Sequence, residues 1–398
     1  MLVGASLSSA DWVSLGPPGA VIGCGATSAG SPPVLYVYDA PNMLKSFDGG
    51  ANWTVTQGTL PGVLGAAVDP LDSNTVVCAT TGGCYRSSDG CETWNHYSMG
   101  SLGGSGLAMN PQNARTLYSS GYASGPGGWM LYCGRSTDGG VTWTQVECDT
   151  TGAPSGGAVA IDPIDTTVVY VGDLMRANGH THAGFYKSTD CAQTWTRLEI
   201  DPNAQNVNSI HVSPLDHNVL VVGTAYAVYR STDGGQTWTA TGSSGMNSQM
   251  VCVPDEPSVL YTTNGTDVFR SPDTGNTWVA TGPVIAGKSA GTLLTQRGDS
   301  STVYLGNFCG MFKSIDHGDH WQMINNGIPR TGGMPIAAAA PNGRPDVCVQ
   351  TSEDAIYRST DEGDHWECQP RVPGCASLCA FVYDAVDPQR MWMLTGRG

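Results

Sequence analysis

Short alternating runs dominate the chain. "AVYRS" (227–231), "DVFRS" (267–271) and "GMFKS" (310–314) place apolar and polar residues in turn, and "WTATG" (238–242) continues the pattern. A period of two predicts half-buried β-strands, and no ten-residue window carries a helical period. The 53 glycines and 24 prolines punctuate these runs as turns. The predicted class is all-β.

Between paired runs one polar stretch recurs. It reads KSFDGGANWT (45–54), RSSDGCETWN (86–95), RSTDGGVTWT (135–144) and KSTDCAQTWT (187–196) in the first half. RSTDGGQTWT (230–239), RSPDTGNTWV (270–279), KSIDHGDHWQ (313–322) and RSTDEGDHWE (358–367) follow. Each has a basic residue, a serine, an aspartate two later and a tryptophan five beyond that. Eight equivalent carboxylates (Asp48, Asp89, Asp138, Asp190, Asp233, Asp273, Asp316 and Asp361) do not describe an active site, which needs one or two. They predict a structural turn in which Asp accepts backbone N–H bonds and Gly takes the positive-φ position.

These boxes resemble the Asp-box, or bacterial neuraminidase, repeat family, which includes sialidases, twin-propeller xyloglucanases and sortilin-type receptors. The resemblance implies a β-propeller of four-stranded blades, with the box joining the third and fourth strands. Segments such as "VLGAAVDPLDSNTVVCATTGGCYRS" (63–87) supply the first three strands of such a blade.

Box tryptophans recur every 40–52 residues, from Trp53 to Trp366. Trp12 falls in register with them in a decayed box where Ala5 replaces the serine and Leu7 the aspartate. The C-terminal segment supplies two strands and stops. The expectation is one domain, residues 1–398, a ring of nine blades whose closing blade joins residues 1–16 to 376–398. An eight-bladed ring is the fallback. Closure of this kind removes sheet edges.

A net charge of −16 with 18 basic residues excludes nucleic acid and anionic membrane as partners. No apolar run is long enough to span a membrane as a helix. Thirteen cysteines favour an oxidising, extracellular setting, with Cys133 and Cys148 facing each other across one hairpin as a disulfide; no signal peptide stands at the N-terminus. No cofactor is expected, and no metal: His180 and His182 alternate as two ligands would, yet no third ligand beyond a guess at Asp173 completes a site.

Ligand chemistry is expected on the face opposite the boxes. Two consecutive connections between second and third strands are long, at 119–131 and 172–185. They bring Tyr122, Trp129, Asp173, Arg176, Asn178, His180 and His182 to one rim, groups suited to sugar or peptide recognition. The leading expectation is a non-catalytic extracellular recognition or scaffold module for carbohydrate or protein. The alternative is a glycoside hydrolase: "VLYVYDAPNMLKS" (34–46) resembles the xyloglucanase segment that carries a catalytic aspartate, which implies Asp39, with Asp173 at the equivalent position of another blade. A second alternative is a self-assembling structural protein.

Overall fold

The computed structural model describes residues 22–324, except the connections at 29–32, 101–102, 126–127, 150–155, 174–183, 202–203, 205, 243–249, 265–266, 282–289, 297–298 and 308–309. Beyond 324 it describes the strands at 336–339, 347–350, 356–359, 367–368, 378–383 and 391–395. Every regular element among these residues is a strand.

Seven four-stranded antiparallel sheets occupy residues 22–323: blade 1 (22–59), blade 2 (63–97), blade 3 (103–149), blade 4 (156–198), blade 5 (207–242), blade 6 (250–280) and blade 7 (290–323). Strand order within each follows the sequence, as hairpin connections require. The first strands pack side by side around a central axis, and that of blade 1 packs on that of blade 7. The ring therefore closes at seven blades, correcting the nine, and the fallback of eight, expected from the repeat count.

The seam shows why. Leu35, Val37, Leu44 and Trp53 of blade 1 form one buried cluster with Leu294, Tyr304 and Met311 of blade 7. Across it Trp53 Nε1 donates to Ile324 O at 2.7 Å, Thr27 Oγ1 to Thr295 O at 3.0 Å, and Lys313 Nζ to Gly49 O at 3.4 Å. Both blades at the seam are complete, so no blade shared between the termini takes part in this ring; residues 1–16 lie outside the described residues. The last two repeats belong to a second compact unit. In it, strands within 336–368 form a four-stranded sheet and 378–383 pairs with 391–395.

The repeated turn is built alike in all seven blades of the ring. The serine hydroxyl donates to the aspartate Oδ1 (2.8 Å for Ser231–Asp233) and accepts the N–H four residues after it (Gly235, 2.9 Å). The same Oδ1 accepts the N–H of Thr237 at 2.9 Å. Asp48, Asp89, Asp138, Asp190, Asp273 and Asp316 each make the corresponding bonds. Asp361 lies outside the described residues.

The basic residue of the box has a second role. Lys45 Nζ, Lys187 Nζ and Arg230 Nε donate to carbonyls in the next blade's turn, those of Gly90, Gly234 and Thr274. Lys313 does the same to Gly49 and so latches the last blade to the first. In every blade the basic residue of the box pairs across the strands with the residue that follows the one facing the box serine. That residue is tyrosine in five blades (Tyr36, Tyr118, Tyr170, Tyr261 and Tyr304) and valine in two (Val77 and Val221). All five tyrosines are buried.

The expected Cys133–Cys148 bridge is not formed. Register explains it: Cys133 lies opposite Val146, while Glu147 and Asp149, on either side of Cys148, pair with Tyr132 and Leu131 across an irregularity. Cys133 is a fully buried core residue, and burial raises its thiol far above the ordinary range.

Candidate active site at the ends of the second strands

Pairing of each second strand with its box serine fixes which positions are equivalent around the ring. Leu35, Val76, Leu117, Val169, Leu220, Leu260 and Val303 all face that serine. Four residues on, at the end of the blade away from the box turns, stand Asp39, Thr80, Gly121, Asp173, Thr224, Asn264 and Asn307. Two carboxylates thus occupy one ring of otherwise neutral residues.

Their surroundings differ. Asp173 closes the base of the long connection in blade 4: its N–H donates to Gly184 O at 3.0 Å, and its Oδ2 accepts the Gly184 N–H at 2.9 Å. A Cβ at Gly184 would sit 2.7 Å from that Oδ2 and 2.6 Å from the Tyr186 ring, so only glycine permits the tie. Equivalent residues do comparable work in tight turns. Thr80 Oγ1 donates to Gly83 O at 3.0 Å, Thr224 Oγ1 to Ala227 O at 2.9 Å, and Asn264 Oδ1 accepts the Asp267 N–H at 2.7 Å. Asp173 is the longer-loop version of this turn lock.

Asp39 is fully buried, paired with Ile22 on the inner strand and Asn42 on the third. The two residues after it, Ala40 and Pro41, form the entire turn, and Leu60 N–H donates to Pro41 O at 2.9 Å. Tyr38 Oη donates to Leu60 O at 3.0 Å, fixing the strand end from below. The two aspartates sit three blades apart, as far around a seven-membered ring as two blades can be.

The expected rim is resolved in part. Residues 119–131 are not a loose connection: strands at 117–125 and 128–136 continue as a long hairpin, Tyr122 opposite Leu131 and Ser124 opposite Trp129. Tyr122 is half-buried. Glycine and serine conceal this hairpin in the sequence because they break the apolar alternation. Arg176, Asn178, His180 and His182 lie outside the described residues. The turn-locking Thr80, Thr224 and Asn264 were not singled out from sequence; their constant spacing from the box serine is the signal that finds them.

No protein-family model matches the chain. Over 169 residues it is 28% identical to the xyloglucanase Xgh74A of Acetivibrio thermocellus, a match covering 38% of this chain and 19% of that protein. The chain thus spans about a fifth of the curated relatives it matches. Among solved structures it is similar to an ancestral GH74 enzyme (TM-score 0.63, 16% identity, 88% of this chain and 54% of that one). It also resembles the GH74 enzyme of Niastella koreensis (TM-score 0.50, 18% identity, 92% and 68%). The structural likeness shows the propeller fold. That the sequence relatives are named enzymes overturns the non-catalytic recognition reading and favours the glycoside hydrolase alternative.

Proposed function

We propose that the chain forms the propeller part of an extracellular glycoside hydrolase acting on a β-glucan of the xyloglucan type, with Asp39 as one of its two carboxylates. The observation that carries this is the ring of second-strand ends. It holds two acids, and Asp173 is spent on locking its own loop. Asp39 stands where the sequence resembles the catalytic segment of xyloglucanases, within a chain whose curated relatives carry that name.

A glycosidase needs its two carboxyl groups about 5–10 Å apart. Asp173 is on the wrong side of the ring for that, so the partner carboxylate comes from elsewhere in the protein. Since Asp39 is buried, substrate reaches it only on local opening of the strand end. Tyr122 on the long hairpin offers an aromatic surface for a sugar ring. The repeated turns are, in this reading, Asp-boxes with a purely structural task.

Release of reducing ends from xyloglucan and from unsubstituted β-glucan tests the reading. Asp39→Asn is expected to lower kcat by roughly 10²–10⁴, the usual contribution of a positioned acid or base, with KM little changed. Asp173→Asn is expected to lower thermal stability more than kcat. Hydrolysis by Asp39→Asn at the wild-type rate would sink the assignment, as would a wild-type protein that neither binds nor cuts either glucan.

A further inference from the structure

A cleft of about 290 Å³ opens between blades 2 and 3 on the box face, at the opposite end of strand two from Asp39. It arises from two departures from the repeat that coincide at one place. In blade 2 the tyrosine beside the latch residue is Val77. Elsewhere that tyrosine fills the gap to the next blade: Tyr36 Oη reaches across to Ser73 O at 2.9 Å. Ala114 is the corresponding residue of blade 3, and it lines the cleft that Val77 leaves.

The second departure is Arg115. Its carbonyl accepts the N–H of Gly139 in the box turn, at 2.8 Å. Residues making this same contact in other blades are Asn74, Thr167, Asn218, Ser258 and Ser301, all short and neutral. Among these six described contacts only that of blade 3 places a cation there, and it lines the same cleft.

The latch residue itself, Arg86, is the third wall. Its Nε is buried without a hydrogen-bond partner. Blade 5 also has valine in place of tyrosine, yet there Arg230 Nε donates to Thr274 O at 2.9 Å. Arg86 therefore lacks both the tyrosine and the latch bond. Neither Arg86 nor Arg115 belongs to an ion pair among the described residues.

Two carboxylates, Asp69 and Asp138, line the same cleft, and each accepts hydrogen bonds within its own turn. Asp69 Oδ1 accepts the Leu71 N–H at 2.8 Å. Asp138 holds Val141 N–H, Thr142 N–H, Thr142 Oγ1 and Ser136 Oγ. Two arginines and two aspartates line the cleft, so its lining is balanced in charge within a protein of net charge −16.

We propose that this cleft binds a small oxyanion, a carboxylate, sulfate or phosphate group, held by Arg86 and Arg115 together. Guanidinium forks match the paired oxygens of such groups and bind their charge more strongly than the hydroxyls of a neutral sugar. The site is independent of the Asp39 reading and lies on the other face.

Titration calorimetry of the whole protein in low-salt, chloride-free buffer, with glucuronate, sulfate and phosphate as separate probes, tests it. One-to-one saturable binding of at least one probe is expected. Preference for glucuronate would identify a sugar acid as the ligand, and preference for sulfate or phosphate a tetrahedral anion. Val77→Tyr restores the residue that five blades carry and should fill the site, weakening binding at least about tenfold while the protein stays folded. Arg115→Ser installs the residue of blades 6 and 7 and should weaken it comparably. Arg135→Met, at the latch of blade 3, should leave it unchanged. Absence of saturable binding by the wild type, or binding unaltered in both Val77→Tyr and Arg115→Ser, would overturn the proposal.

Discussion

Thr274 holds φ at 55°, a left-handed conformation that its branched Cβ resists, in a turn position taken by glycine in blades 1, 2, 3 and 5. The strain of an L-residue there is roughly 1–2 kcal/mol, partly offset because glycine has about 0.5–1 kcal/mol more chain entropy to lose. Thr274→Gly should therefore raise stability by about 0.5–1 kcal/mol, read from the midpoint of urea unfolding at constant m-value. A decrease would show that the threonine side chain supports the turn. The carboxylates of these turns bear on acid stability. Hydrogen bonds from Thr93, its hydroxyl first and then its N–H, hold Asp89 down at about 2. The N–H and ring of His320 do the same for Asp316. Asp138 reaches about 2 through Thr142 and Ser136 despite burial, which acts upward. A carboxylate whose folded pKa is depressed contributes stability above its unfolded value, and that contribution is lost as pH falls through the folded one. Melting temperature should thus be insensitive to these groups above about pH 5 and fall between about pH 4 and pH 2. Replacing Asp89 by Asn should flatten that fall; an unchanged acid profile would show the turns contribute nothing to it.

At the scale of strands and blades, the seam is where a specific contact can be interrogated. A Cβ added to Gly50, whose φ is 89°, would lie 2.3 Å from Cδ1 of Ile324, the residue following blade 7. Gly50→Ala should therefore be strongly destabilising, and Ile324→Ala should remove the collision though not the backbone strain. A double-mutant cycle is expected to show at least about 1 kcal/mol of compensating coupling, since residues in contact rarely add. Strict additivity would mean that blade 1 does not abut blade 7. This contact also marks the boundary of what the sequence reveals. The box turns are legible because their bonds span four residues or fewer, so Ser, Asp and Gly carry the whole instruction. The long hairpin of blade 3 is hidden because Gly and Ser keep the pairing but lose the alternation. The lock between Asp173 and Gly184 bridges 11 residues, and no local pattern announces it. Asp39 was visible by resemblance alone; that its counterpart Asp173 is occupied by a turn became evident only from the hydrogen bonds.

Ring closure belongs to the whole molecule and is the least local property of all. Trp53 and Ile324 are 271 residues apart, and every blade presents nearly the same faces, so periodicity counts repeats without saying which pair meets. Counting tryptophans gave nine because each repeat was assumed to enter one ring. Seven suffice because the apolar faces of blades 1 and 7 bury each other, with Leu35, Leu44, Tyr304 and Met311 all fully covered. A truncated protein spanning residues 20–331 should consequently fold to a closed ring, keep a single cooperative melt, and leave no apolar blade face exposed at the seam. Removing blade 7 as well, by ending the chain at 284, would uncover the blade 1 face and delete the Lys313 latch. That shorter protein should aggregate or melt far lower. Loss of many buried aliphatic groups at about 0.8 kcal/mol per methylene exceeds the 5–15 kcal/mol by which domains are ordinarily stable. Near-ultraviolet circular dichroism and analytical ultracentrifugation distinguish the outcomes. If the 20–331 protein is the one that fails while the full chain is well folded, the last two repeats are needed by the ring, and closure at seven blades is wrong.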